Sequence, residues 1–432
     1  MRTWIRNHQA FVAVQLSLLV ISLSLLVSFW LFGEKIVRSG YEERSSIELI
    51  NRLYHPERPL PFSAVFGQAT RAFNGVITVV LALQVLTLVL GIAASWPRRR
   101  FALPAVFVLW WLAAEFIAAP HLVDLFRLRN YRFIQDIDHR PTKTTGGCNS
   151  DAVRGAPESS EFRAADLSVL FLGDSFTFGL RVSAGESFPY VIQRRLQAGL
   201  PEVDLRVANF GWTSSSPLLS YRRLVDVGDS YEPDFVIMCL DMTDFGDDVR
   251  YQNMLDRRGI YWLYDKTPLL LKLTQTISLD FYKQLLNWTA GHPPGDRFFI
   301  SAAPLEETRE WFLPLMGNVA KVDEWCRERG AEFMLVVLPR NYQYSDRESP
   351  SSPEWSRYTA LGPHAAEPFR FFDEVRETVD YPVISLLEDF RQTEVFPTCF
   401  EDDPHWNPAG HGVAAQAILR SLEPRIRAWL DR

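Results

Sequence analysis

Apolar positions fall into two regimes along the chain: long uncharged runs before residue 120, and short runs separated by amphipathic stretches after residue 166. Residues 10–32 carry no formal charge, are rich in Leu, Val and Ile, and follow Arg2 and Arg6. A run of that length crosses a bilayer as a helix. No small-x-small cleavage site follows it, so an uncleaved anchor is expected rather than a signal peptide. After a charged loop over 34–74, residues 75–96 form a second uncharged run, closed by Pro97 and by Arg98, Arg99 and Arg100, which belong on the cytoplasmic side. The third segment, 101–120, contains Pro104 and Glu115. Its nine Phe, Leu, Val or Ile residues contribute about −0.3 to −0.6 kcal/mol each, against roughly +2 to +3 for one off-centre acid. The sum favours a third span, which sends everything after it outside. If 101–120 only lay in the interface, the large C-terminal part would be cytoplasmic.

Residues 121–165, rich in Arg, Thr, Gly, Pro and Ser, read as a juxtamembrane segment and linker. From Asp166 onward short apolar runs predict strands at 169–172, 205–210, 235–240, 333–338 and 383–387. Helical patterns occupy 186–198, 218–227, 306–329 and 409–429. Apolar strands separated by amphipathic helices predict a parallel sheet covered on both faces, a three-layer α/β domain over 166–432. An aromatic-rich insertion occupies 245–304. Within it Leu269, Leu273, Ile277, Phe281 and Leu285 recur at steps of four after Thr267-Pro268, predicting an amphipathic helix that packs on the core, covers the site or touches the bilayer.

Composition narrows the function. The formal charge of −7 comes with no basic tract, which excludes nucleic acid as an expected partner. The four cysteines, Cys148, Cys239, Cys326 and Cys399, form no zinc-type spacing, so no structural metal is expected. Cys239 lies in an apolar run and reads as a core residue; a Cys148–Cys399 bridge stays open if the domain faces an oxidising compartment. No phosphate-binding or dinucleotide fingerprint occurs, and no cofactor is expected.

Two stretches carry chemistry. The apolar run ending at Leu172 breaks into Gly173-Asp174-Ser175, which places Ser175 at the C-terminal end of a strand, the edge where open α/β sheets bind ligands. The competing reading is an ordinary helix cap. Near the C-terminus, Asp402 and His405 stand at Asp-x-x-His spacing, which puts a carboxylate and an imidazole on one side of a turn; the carboxylate can orient the ring while its other nitrogen takes a proton from a serine. The acids and histidines of 401–411 also allow a metal, although no other ligand cluster completes one.

Gly173-Asp174-Ser175 with Asp402-x-x-His405 resembles the SGNH/GDSL hydrolase family, and the run Gly-Asp-Ser-Phe-Thr-Phe-Gly followed by Glu186-Ser187-Phe188-Pro189 is similar to bacterial members. The lead-in from Asn149-Ser150 to Arg154-Gly155 looks like the segment before their first strand, so the resemblance covers about 149–430. It implies a flavodoxin-like three-layer fold, with Ser175 as nucleophile, His405 as general base and acid, and Asp402 as its orienting partner. It also implies an oxyanion hole from the N–H groups of Ser175 and Gly211, the latter in the block Asn209-Phe210-Gly211, with Asp174, Asn209 and Asp244 in support. The third family block, Gly-x-Asn-Asp, reads Asp241-Met242-Thr243-Asp244 here, so Thr243 replaces the asparagine expected as third donor.

The expectation is a membrane-anchored serine esterase of the bacterial cytoplasmic membrane, with its catalytic domain extracytoplasmic and an acyl ester of a glycan or lipid as substrate. Transfer of the acyl group to a cell-envelope glycan and a non-catalytic scaffold or glycan-binding module are the alternatives.

Overall fold

The computed structural model describes residues 147–256 and 298–432, position 353 excepted, together with the isolated helical positions Gln84, Thr87 and Leu112. The chain divides into two compact units, one of Met1–Arg52, Pro59–Gln135 and Asp265–Tyr282, the other of Leu53–Arg58, Asp136–Tyr264 and Lys283–Arg432. Apart from Gln84, Thr87 and Leu112, the three apolar segments lie outside the described residues, as does the helix expected around 269–285. Among the described residues no helix is long and apolar enough to cross a membrane.

The second unit is built on five parallel strands: β1 (Leu167–Leu172), β2 (Leu205–Asn209), β3 (Phe235–Leu240), β4 (Glu332–Val337) and β5 (Val383–Ser385), in the order β2-β1-β3-β4-β5. Every residue of β1 and β3 is buried, as strands covered on both faces require. In register, Phe171 lies opposite Asn209 on one side, and Leu172 opposite Met238 on the other. The order 2-1-3-4-5 is that of flavodoxin-like doubly wound sheets. Its connections leave β1 in opposite directions, and right-handed crossovers then put their helices on opposite faces.

The helices follow that rule. In chain order they are α1 (Ser159–Arg163), α2 (Ser175–Phe178), α3 (Phe188–Gly199), α4 (Pro217–Val227), α5 (Asp244–Leu255), α6 (Leu305–Thr308), α7 (Phe312–Arg329), α8 (Asn341–Tyr344), α9 (Glu367–Arg376), α10 (Leu387–Gln392) and α11 (Pro408–Leu430). The first crossover helix, α3, packs on α11, whereas α4, α5 and α7 pack together. A two-stranded antiparallel sheet, β6 (Cys399–Phe400) and β7 (Asp403–Trp406), precedes α11.

One stretch differs from expectation. Residues 147–165, expected as linker, pack into the domain: Arg154 is buried and donates to the carbonyls of Phe178, Gly179 and Val182, stapling this lead-in to the segment after β1. Cys148 and Cys399 are free thiols. Cys399 is buried and donates to the Pro404 carbonyl at 3.3 Å, while the Cys148 backbone pairs with that of Arg154 in an isolated antiparallel bridge.

Candidate active site

The switch point of the sheet falls at the C-terminal end of β1, and the chain turns there on Gly173. This residue has φ +152°, and a Cβ on it would come within 2.2 Å of Thr177 Oγ1 and 2.9 Å of the Cys239 carbonyl, so only glycine fits. Asp174 caps the short helix α2 by accepting the Phe176 N–H at 2.9 Å, and Gly179 ends it in the left-handed conformation. Ser175 is thus the first residue of α2, 8% exposed, at the edge where this fold class binds ligands. The cap expected at this position exists, and it is Asp174; the serine beside it faces the histidine.

Ser175 Oγ lies 2.7 Å from His405 Nε2, and His405 Nδ1 is hydrogen-bonded to Asp403 Oδ1. The orienting carboxylate is therefore Asp403, not Asp402. A carboxylate three residues before the histidine shares its side only on a turn, but Asp403–Trp406 is strand β7, in which residues two apart share a face. Asp403 also accepts the His405 backbone N–H at 2.9 Å. Asp402 instead pairs with Arg181 at 2.8 Å; the same guanidinium lies 3.6 Å from Asp403 and over the Phe400 ring. Burial works to raise the Asp403 carboxyl, but His405, by charge and by hydrogen bonds, and Arg181, by charge, outweigh it and hold the group well below the usual carboxylate range. The Phe176 ring, 4.9 Å from the imidazole, fixes its other face.

The expected oxyanion donors are placed differently. As the first amide of α2, the Ser175 N–H has no intrahelical acceptor. The Gly211 N–H, however, donates to Asn209 Oδ1 at 3.0 Å, and Asn209 Nδ2 donates to the Thr177 carbonyl at 2.7 Å. Asn209 thus ties β2 to α2. Gly211 must be glycine because a Cβ would reach 2.6 Å from the Phe178 nitrogen. Thr243 is also engaged, donating both its hydroxyl (2.5 Å) and its N–H (2.6 Å) to Asp241 Oδ1. Asp241 therefore caps this turn, and the Thr243 hydroxyl proton is committed to it.

Behind the serine lies a cluster that spacing did not reveal. Carboxylate oxygens of Asp174, Asp241 and Asp244 lie within 4.8 Å of one another, all buried. Ser175 Oγ is 3.2 Å from Asp174 Oδ2. Asp241 is matched by Arg340 Nη1 at 2.6 Å, whose Nη2 reaches Glu354 at 2.7 Å. Burial, reinforced by Asp241, pushes Asp174 up to about 7 against the pull of the Phe176 N–H, His405 and Arg340. Burial and the charges of Asp174 and Asp241 likewise raise Asp244 well above its ordinary value. Three acids beside one guanidinium, itself shared with a fourth, must hold a proton among them. The only sign of Asp241 in the sequence was its occupation of the glycine position of the third family block.

The acids and histidines of 401–411 do not converge as metal ligands. Asp402 faces Arg181, and His411 is buried, accepts the Phe188 N–H at 3.3 Å and stacks on the Phe188 ring. Burial, with Arg154 and His405 nearby, pushes its imidazole down to about 3, so it stays neutral.

The fold and site define a doubly wound α/β domain with a Ser-His-Asp cluster at its switch point. No protein-family model and no curated protein matches the chain. Solved structures similar to it include TesA, at 16% identity over 59% of this chain and 98% of that one, with a TM-score of 0.34. Another is the psychrotrophic esterase EstA from Pseudoalteromonas sp., at 14% identity over 61% and 98%, TM-score 0.34. A third is Axe2, an acetylxylan esterase from Geobacillus stearothermophilus, at 15% identity over 58% and 92%, TM-score 0.32. Likeness of this degree carries no weight for the chemistry, which rests on the chain's own topology and distances.

Proposed function

We propose that this domain is a serine esterase or acyl-transfer enzyme of the SGNH/GDSL type. The observation that carries the reading is the continuous hydrogen-bonded line from Ser175 Oγ through His405 to Asp403. His405 Nε2 takes the Ser175 proton as Oγ attacks an acyl carbonyl, and Asp403 stabilises the imidazolium that forms. The oxyanion meets the Ser175 N–H. The imidazolium then protonates the departing alkoxide, leaving an acyl-serine that water or a second hydroxyl attacks with His405 again as base. The substrate class is an acyl ester of a glycan or lipid. Anchorage in the cytoplasmic membrane by three spans, with the domain on the extracytoplasmic side, completes the proposal.

Thr243 supports a second reading, acyl transfer or binding without turnover. With its hydroxyl held by Asp241, Thr243 does not serve as the third donor, whose loss elsewhere costs about 3 kcal/mol of barrier; that slows attack by water unless a well-placed acceptor hydroxyl takes its place. A fluorophosphonate probe with mass-spectrometric mapping tests the common step. Labelling of Ser175, abolished by Ser175→Ala and His405→Ala, is expected. A labelled residue other than Ser175, or no label at all, would sink the catalytic reading and leave the binding module.

A further inference from the structure

We propose that the domain carries a second site, an aromatic cavity next to the triad region, that binds an uncharged glycan. The cavity measures about 660 Å³, within the range of roughly 300–1,000 Å³ typical of small-ligand sites. Among the described residues its walls include the rings of Phe298, Phe299, Trp311, Tyr342 and Tyr358, and no Leu, Ile, Val or Met. The rings are held in place before any ligand arrives. Tyr342 stacks on Tyr358 at 4.6 Å, Phe298 stands edge-on to both at 5.3 and 5.5 Å, and Trp311 stands edge-on to Phe299 at 5.8 Å. Tyr342 donates its hydroxyl to Ser301 Oγ at 2.9 Å, which fixes its ring in the floor.

Phe298 and Tyr342 are buried, so the ring surface open to a ligand is that of the half-buried Phe299, Trp311 and Tyr358; flat faces of this kind with polar groups at their edges match a sugar ring, which offers C–H bonds on its faces and hydroxyls around its rim. An acyl chain would be better served by long aliphatic walls, whereas beside the rings the described lining offers Ala302, Ala303 and Pro363. At the mouth, Glu307 and Arg357 are both exposed and offset each other, with His364 beside them. One acid against one base gives none of the concentrated positive charge that a phosphate or a polyanionic sugar would need. The cavity also lies on the catalytic edge of the sheet, because Tyr342 follows the C-terminal end of β4 as Ser175 follows that of β1. The Arg340 guanidinium is sandwiched between the two sites, 5.1 Å from the Phe298 ring and 5.3 Å from the Phe176 ring that packs on His405.

This binding goes beyond the esterase reading and does not depend on it, so it is measured in both native and Ser175→Ala protein. The full-length chain, kept free of glycoside detergents that would compete, is titrated calorimetrically with xylotetraose, cellotetraose and chitotetraose, and with decanoate and AMP for comparison. Saturable binding of at least one of the three oligosaccharides is expected, unchanged by Ser175→Ala. Trp311→Ala should weaken it about tenfold or more, the cost of truncating an aromatic anchor. Thr359→Trp, at an exposed position on the rim, should block the mouth and do the same without disturbing the core. The proposal falls if none of the three oligosaccharides binds, if binding ignores both cavity variants, or if decanoate or AMP is the ligand the variants affect. Loss of probe labelling at Ser175 with glycan binding intact would remove the esterase and leave this site standing.

Discussion

Asp174 serves two neighbours at once, accepting the Phe176 N–H that starts the nucleophile helix and lying 3.2 Å from the Ser175 hydroxyl. Its carboxyl is buried beside Asp241 and Asp244, and burial with the Asp241 charge outweighs the Phe176 N–H, His405 and Arg340 to bring it to about 7. The folded protein therefore binds a proton that the unfolded chain releases at about 4, and stability contributed at Asp174 declines as pH rises from about 4 to about 7. His411, depressed to about 3, pulls the other way over part of that range, because the unfolded chain binds a proton there that the fold refuses. A difference measurement isolates Asp174. Asp174→Asn keeps the cap and drops the charge, so its Tm relative to native protein should climb by a few degrees between pH 4 and pH 8; a flat difference refutes a shared buried proton. At the triad, Asp403→Asn should cut kcat on the order of 10⁴-fold by favouring the wrong imidazole tautomer, with KM little changed. Asp402→Asn removes one of two acids on Arg181 and should cost less than about tenfold. Equal effects would contradict the assignment to Asp403. Ser175 and His405 were legible because the glycine turn and the residue types announce them. Their partner was not, since choosing between Asp402 and Asp403 required knowing that 403–406 is extended, and a four-residue strand containing Pro404 has no pattern to say so.

At the level of elements, the strands lie within two residues of where alternation and apolar runs placed them, because strands buried on both faces give an unmistakable run of Val, Ile, Leu and Phe. Helix α5 was hidden inside the expected insertion. Its buried residues include Asp244, Asp247, Asp248 and Asn253, so no apolar stripe marks it; Asp248 accepts the Leu218 N–H at 2.8 Å and an Asn318 amide at 2.7 Å. The helix expected over 306–329 is broken into α6, a 3₁₀ turn over Arg309–Trp311 and α7. Pro314 explains the restart, since proline is tolerated in the first turn of α7 but would remove a hydrogen bond from the interior of a longer helix. Helix α11 shows the opposite outcome, continuing to Leu430 through Pro424. That proline is exposed, lacks an amide hydrogen and crowds the preceding turn. Pro424→Ala should therefore stabilise the domain by about 1–3 kcal/mol, seen as a higher denaturant midpoint at unchanged m-value. An unchanged or lower midpoint would mean that the packing of α11 on α3 depends on a bend at Pro424.

On the scale of the whole molecule, the most legible part of the sequence and the most informative part of the structure do not coincide. The apolar runs at 10–32, 75–96 and 101–120 dominate the hydropathy pattern, whereas the aromatic cavity draws on residues from 298 to 364 that no local periodicity groups together. Which compartment the site meets depends on the weakest of those runs. Segment 101–120 carries Glu115, costing roughly 2–3 kcal/mol off centre against about −4 from its apolar residues, a margin of only 1–2 kcal/mol. On the proposed topology Arg98, Arg99 and Arg100 hold the preceding turn inside, and crossing by this segment then decides the side. With alkaline phosphatase fused after Arg432 of the full-length chain, three spans should give an active enzyme, and a green fluorescent protein fused at the same point should stay dark. The reverse pair of results would place the Ser175 site in the cytoplasm. In that case Glu115→Leu, which adds roughly 3 kcal/mol to insertion, should restore the outward orientation; if it does not, the hydrophobicity of the third segment does not set the topology.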